Sequence, residues 1–422
     1  MQEQQQEPQL ISARRQVLGI VGISVLLLAA VAVPQVLSRP SSKPVDLSNI
    51  AGPLRPTDAF EYRGVGLQLP SNDPDNPYEK YVEEIARTGA NTILLSVAAL
   101  QENGSSSFVS IDLRKVPSNE RLEKIIKLAR DLKLKVGLMP IVLLENPASG
   151  EWRGLIKPRE PNKWWEAYEN YILHYAKLAQ KTGVEILSIG SELISLEEET
   201  EHWQQLIAKV RKAYKGKLTY SANWDHYEKE IKYWGDLDLV GMTTYHDLCG
   251  DKKPTLDVLI DTWKPIKKKI LEWQQTVNRP ILFTEVGWPN LETAAKEPWN
   301  YCRTDVQPDP ELQARCFEAF FMTWKDEPKV AGLFVWEWRN YPGHEGGPKD
   351  PSYYPGGKPA MDVILKFFKA SAAADKTADR NGKQAGKGPA PATTTAPSAP
   401  LEKPQAPSGQ ANTEFDPNTQ GG

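Results

Sequence analysis

Two short stretches deliver a glutamate in the same setting. Pro280-Ile-Leu-Phe-Thr-Glu-Val-Gly-Trp-Pro289 runs from apolar residues into Thr284 and Glu285, and Gly287 and Pro289 then stop it. Glu185-Ile-Leu-Ser-Ile-Gly-Ser-Glu-Leu193 repeats the design and delivers Glu192. Each reads as a buried strand that ends on a carboxylate and opens into a loop. A carboxylate at the end of a core strand is costly to bury, so it needs a partner or a task. Two carboxyl groups held about 5–5.5 Å apart suit a double displacement at a glycosidic carbon. One, ionised, attacks the anomeric carbon. The other, with a raised pKa, protonates the leaving oxygen and later activates water. Glu145, Asp225, Asp247 and Glu337 also end or follow strand-like runs. Helix capping or pairing with arginine is the plainer account of those four.

Strand-like and helix-like segments alternate around the two glutamates. The strand candidates are Tyr62–Leu69, Asn91–Ala98, Lys135–Leu144, Glu185–Ser191, Leu218–Asn223, Leu239–Tyr245, Ile281–Val286 and Gly332–Trp338. Helical spacing of apolar residues marks Pro77–Thr88, Ser118–Leu132, Asn162–Lys181, Thr200–Tyr214, Thr255–Gln275, Pro310–Lys325 and Met361–Lys369, with a short helix expected at 225–234. Eight such pairs predict an α/β protein with a (β/α)8 TIM barrel. The alternative, a doubly wound open sheet, lacks its phosphate loop, because Arg63-Gly-Val-Gly-Leu-Gln68 is not GxGxxG. In a barrel, chemistry gathers at the C-terminal ends of the strands. Glu192 would end the fourth strand and Glu285 the seventh.

The rest of the chain frames this block. Residues 1–37 hold Arg14-Arg15 and then an uncharged run over 17–33, which reads as an export signal or a membrane anchor. Residues 38–58 are a Pro/Ser linker, 59–370 the catalytic barrel, and 371–422 an Ala/Pro/Thr/Gly-rich tail expected to be disordered. The barrel should therefore work outside the cytoplasm. A formal charge of −3 with no strongly basic face argues against nucleic acid as a partner. The His and Cys residues form no HxxxH, HxH or CxxC spacing, so no metal site and no cofactor are expected. Several of the 13 Trp sit beside turns, where exposed rings would suit the flat faces of sugars; core packing accounts for the others.

A set of motifs, in order over about 60–370, resembles glycoside hydrolase family 113, whose characterised members are endo-β-1,4-mannanases. The set is Arg63-Gly-Val-Gly66, Ser188-Ile-Gly-Ser-Glu-Leu193, Phe283-Thr-Glu-Val-Gly-Trp288, Gly332-Leu-Phe-Val-Trp-Glu-Trp338 and Gly357-Lys-Pro-Ala360. That resemblance implies a retaining O-glycosyl hydrolase with Glu192 as acid/base and Glu285 as nucleophile. It implies an oligo- or polysaccharide partner and a monomer. Tyr245 would hydrogen-bond the nucleophile, and Trp336 would lie under the reacting sugar, with Trp338 sharing its facing by strand alternation. Asn223, Trp224 and Trp288 would line the wall, and Arg63 belongs to the first matching motif. Ser191 departs from the pattern, since most of the clan keeps Asn before the acid/base. Glu285-Val-Gly-Trp-Pro289 also echoes the ExGWP of family 17 β-1,3-glucanases. A β-1,3- or β-1,4-glucanase is therefore the nearest alternative, and a non-catalytic carbohydrate-binding barrel the next. In this frame Cys249 and Cys302 fall in rim loops and are expected to form a disulfide, with Cys316 buried on its helix; three free thiols are the alternative.

Overall fold

The computed structural model describes residues 60–369 apart from 229–230 and 340–344. The export or anchor segment, the linker and the tail lie outside the described residues. Eight apolar runs form β1 (Tyr62–Gln68), β2 (Thr92–Gln101), β3 (Lys135–Leu144), β4 (Ile186–Ser191), β5 (Lys217–Ala222), β6 (Val240–Thr243), β7 (Ile281–Val286) and β8 (Val330–Val335). Each strand pairs in parallel with its neighbours in sequence, and β1 closes on β8. The expected (β/α)8 barrel is the fold. Strands covered on both faces need no polar alternation, which is why they read as almost unbroken apolar runs.

The outer layer is α1 (Tyr78–Arg87), α2 (Asn119–Asp131), α3 (Pro161–Thr182), α4 (Thr200–Ala213), α5 (Leu256–Val277), α6 (Pro310–Trp324) and α7 (359–369). Local chemistry starts and stops them. Ser118, Thr255 and Asp309 accept backbone N–H groups at the starts of α2, α5 and α6, and Gly183 ends α3 in the left-handed region. Two cores result. Tyr62, Leu94, Met139, Ile186, Leu282 and Phe334 fill the barrel, and a larger cluster packs the strands against the helices.

The floor of the barrel is closed by Tyr62, whose ring lies under the ammonium groups of Lys135 and Lys217 at 4.7 and 5.0 Å. Both ends of the described chain are on this floor. Phe60 meets Phe367 of α7 at 5.8 Å, and the end of α7 lies against Gly89, in the turn between α1 and β2.

Three local expectations differ from what forms. Among the described residues of 225–234 no α-helix forms; a 3-10 turn follows at Trp234–Asp236, with the buried Trp234 indole donating to Tyr227 O. β6 ends two residues early, because the register with β7 shifts and Thr243 pairs with Glu285. Thr244 and Tyr245 are thereby released from the ladder. The expected Cys249–Cys302 bridge is also not formed, and all three cysteines are free thiols. Cys249 is buried, its thiol donating to Gly250 O, and it lies close enough to Cys316 to help burial hold that thiol protonated; Cys302 is exposed.

The barrel interior has no slack at Gly64, where a Cβ would stand 2.2 Å from the ring of the fully buried Phe334. Overpacking of this kind costs about 1–3 kcal/mol. Gly64→Ala is therefore expected to lower the thermal midpoint by several degrees; an unchanged midpoint by calorimetry would contradict this packing.

Candidate active site

Glu192 and Glu285 come together at the C-terminal mouth of the barrel, both buried, at 5 and 3 % exposure. Glu285 is the fifth residue of β7. Its Oε2 accepts the Tyr245 hydroxyl at 2.6 Å, and its backbone carbonyl accepts the Thr244 hydroxyl at 2.9 Å. The early end of β6 thus provides both donors. Burial pushes the Glu285 carboxyl well above the usual range, and the charge of Glu192 pushes it further; Arg153 and the Tyr245 hydrogen bond oppose this. Burial, with the Glu285 charge added, also holds the Tyr245 phenol well above its ordinary value, so it stays a donor.

Glu192 follows β4 with φ +53, a left-handed conformation that costs a side-chain-bearing residue about 1–2 kcal/mol. Backbone held this way at a functional site must be fixed by its surroundings. Here Glu192 N–H donates to Ser221 O at 2.8 Å, and Leu193 N–H donates to the Tyr220 hydroxyl at 2.8 Å. Tyr220 in turn donates to the fully buried Glu197 at 2.7 Å. Tyr220 and Glu197 belong to the buried support of the site, and nothing in their spacing along the chain announced it.

Arg153 was also not anticipated. It opens a 3-10 turn, Arg153–Leu155, in the loop between β3 and α3, and its Nη2 donates to Glu192 Oε2 at 2.5 Å. The two carboxylates outweigh the burial that works against its charge, so the guanidinium stays cationic. The loop is tied down on both sides. Ser195 Oγ donates to Ile156 O, and Lys157 N–H donates to Gly104 O.

The remaining expected residues separate. Trp336 follows β8 and packs at the mouth over Gly66 and beside Gly287, where a Cβ would stand 2.2 Å from the Trp336 carbonyl. The Trp336–Glu337 peptide bond is cis. Trp338 does not share its facing: β8 has already ended, and the indole turns outward to Glu84 of α1 at 3.1 Å. Trp224 follows β5 and stacks on the half-exposed Trp299 at 5.7 Å, forming an aromatic rim; Asn223 beside it donates to Asp225. Trp288 is not a wall residue. It is fully buried against Phe317 of α6 at 5.1 Å. Arg63 is not at the mouth either. It is the second residue of β1, at the floor, and donates to Phe60 O.

Of the four secondary carboxylates, only Glu337 reaches the site, where it raises Glu285 further and accepts from Gln68 at the end of β1 at 2.6 Å. Glu145 pairs with Lys115, and Asp247 accepts two backbone N–H groups. Tyr301 and Tyr353, from the loops after β7 and β8, complete the cluster with rings 5.6 Å apart. Burial pulls His246, behind Trp224, down to about 3, which leaves it neutral and unsuited as an acid. Ser191 Oγ, buried, has no hydrogen-bond partner among the described residues. Among the described residues, no group of three His, Cys, Asp or Glu is set to hold a metal ion.

A closed (β/α)8 barrel with a buried pair of carboxyl groups at its C-terminal mouth is the construction of a barrel glycosidase. Residues 75–358 match Glycoside Hydrolase Family 113, and the chain belongs to that family. It is accordingly an O-glycosyl hydrolase of oligo- or polysaccharide. The GH113 β-mannanase AaManA from Alicyclobacillus acidocaldarius, solved with ManMIm, is similar at 29 % identity and a TM-score of 0.65, over 74 % of this chain and 98 % of that one. A GH113 β-1,4-mannanase solved as a complex is similar at 26 % identity and a TM-score of 0.65, over 74 and 99 %. No curated protein is matched by the chain.

Tyr220→Phe would leave the Leu193 N–H and a Glu197 oxygen without their partner in a buried site. Each loss costs about 1–3 kcal/mol. The variant should unfold at lower denaturant than the parent and lose turnover, because one of the two bonds that pin the Glu192–Leu193 backbone is gone. Equal denaturant midpoints would sink this reading of Tyr220.

Proposed function

We propose that the enzyme is a retaining β-1,4-mannanase in which Glu285 is the nucleophile and Glu192 the acid/base. The observation that carries this is the hydrogen bond from Tyr245 to one oxygen of Glu285, in a pair electrostatically coupled to Glu192. With Oε2 held by Tyr245, Oε1 is left to attack the anomeric carbon. The glycosidic C–O bond breaks as the leaving oxygen takes the Glu192 proton, and an ester to Glu285 forms. Glu192, now a carboxylate, takes a proton from water as the water oxygen attacks the same carbon and frees Glu285. Trp336 offers an apolar face for the reacting sugar, and the Trp224–Trp299 stack a second platform at the rim. The choice of mannan rests on the β-1,4-mannanases to which the chain is similar.

We also propose that the enzyme works outside the cytoplasm, on the strength of Arg14-Arg15 followed by the uncharged run over 17–33. Cell fractionation should find mannanase activity in the membrane or external fraction. Activity confined to the cytoplasmic fraction would end that proposal.

Glu285→Gln tests the mechanism and its electrostatic cost together. Manno-, gluco- and laminari-oligosaccharides would be offered side by side, with reducing ends measured. Turnover of the manno series by the parent, abolished in the variant, is the expected result. A preference for another series would make the enzyme a glucanase, and binding without turnover would make it a lectin-like barrel. A carboxyl raised by burial contributes its full stability below the usual carboxylate range and loses it as pH rises through the raised value. Glutamine carries no such loss. The variant should melt higher than the parent at pH 8, on the order of 2–4 °C for each kcal/mol recovered, and the gap should shrink toward pH 5.

A further inference from the structure

Three buried polar side chains from three separate segments converge on the loop after β8. Asn290, after β7, donates to Pro348 O and Asp350 O at 3.0 and 2.8 Å. Gln313, on α6, donates to Tyr353 O at 3.2 Å and to Trp288 O at 2.8 Å. Lys358, just before α7, donates to Ser352 O and Tyr354 O at 2.9 and 2.6 Å. Their exposures are 0, 0 and 3 %. Burying such groups is costly unless each is bonded, and loops are ordinarily the mobile parts of a fold. Here the buried donors are committed to the carbonyls of 348–354, and that stretch is fixed.

What the fixed stretch presents is Tyr353. Its ring lies 6.0 Å from that of Tyr245, the hydrogen-bond donor to Glu285, and a Cβ on Gly287 would stand 3.2 Å from it. Its hydroxyl leaves the loop after β8 and donates to Pro298 O, in the loop after β7. The next residue is Trp299, 46 % exposed, whose indole stacks on Trp224 at 5.7 Å. Other bonds near it, from Asn300 to Glu297 and from Arg303 to Glu297 and Asp305, run within the loop and give it no hold on the barrel. The Tyr353 hydroxyl therefore ties a fixed loop to the one that carries half of the rim platform.

Resting on the reading of Trp224 and Trp299 as a sugar platform, we infer that Tyr353 is a positioning residue that holds Trp299 on Trp224 and so sets the preference of the enzyme for long oligosaccharides over short ones. An exposed indole on a loose loop must be ordered each time a sugar lies on it, and the lost freedom subtracts from binding. With Pro298 held and the ring already on Trp224, that loss is removed before the glycan arrives. The gain reaches only chains long enough to extend from the carboxyl pair to the rim. No covalent bond and no proton is involved, so the chemistry at Glu192 and Glu285 is left to the groups that touch them.

Tyr353→Phe removes the hydroxyl and keeps a ring to pack on Tyr245 and Gly287. Reducing-end release would be measured on mannohexaose and on the shortest manno-oligosaccharide that the parent cleaves. In the variant, kcat/KM for mannohexaose should fall about two- to tenfold more than for the short substrate, the size of one side chain's ordering cost, with the difference lying in KM. Trp299→Ala should lower the same ratio at least as much. Adding Tyr353→Phe to it should lower the ratio no further, because both act on one platform. An equal fall on both lengths would make Tyr353 a packing residue and overturn the inference, as would a full additional effect in the double variant. A length ratio untouched by Trp299→Ala would instead remove the platform, and the inference with it. A second readout needs no turnover. Calorimetry on Glu285→Gln should find mannohexaose bound about two- to tenfold more weakly once Tyr353→Phe is added; equal affinities would overturn the inference. If the enzyme cleaves the gluco series instead, mannan is lost as the substrate, and the same length ratio in that series decides Tyr353.

Discussion

The structure turns on the burial of two carboxyl groups at one end of a closed barrel. A carboxylate withdrawn from water is expensive, and a second beside it makes both worse. Nearly every unusual feature of the mouth offsets that cost. β6 stops short so that Thr244 and Tyr245 can turn their hydroxyls on Glu285. The β3–α3 loop brings in a guanidinium for Glu192. Tyr220 and Ser221 hold the backbone of Glu192 in a conformation it would not otherwise keep.

That division explains what the sequence made legible. The eight strands were readable because strands covered on both faces are apolar throughout, and the helices because their periodicity and caps are local signals. Glu192 and Glu285 stood out because each interrupts such a run. Tyr245 was expected from its place at the end of the sixth strand and Trp336 from its place in the motif on the eighth, both through the family resemblance. Arg153, Tyr220, Glu197 and Tyr353 were not legible, because their roles come from contacts between loops and strands far apart in the chain. No period or spacing encodes those.

The misplaced residues are equally instructive. Trp288 has the neighbours of a wall residue, yet after Gly287 the chain turns and the indole drops into the packing of α6. Trp338 was given the facing of Trp336 by alternation, which applies only within a strand, and β8 ends at Val335. Arg63 opens a motif that ends at Gly66, against which Trp336 packs. A one-residue slip at a strand end changes which side of the barrel wall a side chain reaches.

The meeting of Phe60 and Phe367 has a consequence for how the enzyme meets a polymer. Chain that precedes Phe60 or continues past residue 369 joins the barrel at the pole opposite the two carboxylates. The mouth that carries Glu192 and Glu285 therefore faces away from both ends of the described chain. A long glycan can lie across that mouth without meeting Phe60 or the end of α7. The rim tryptophans would be the first surface it touched.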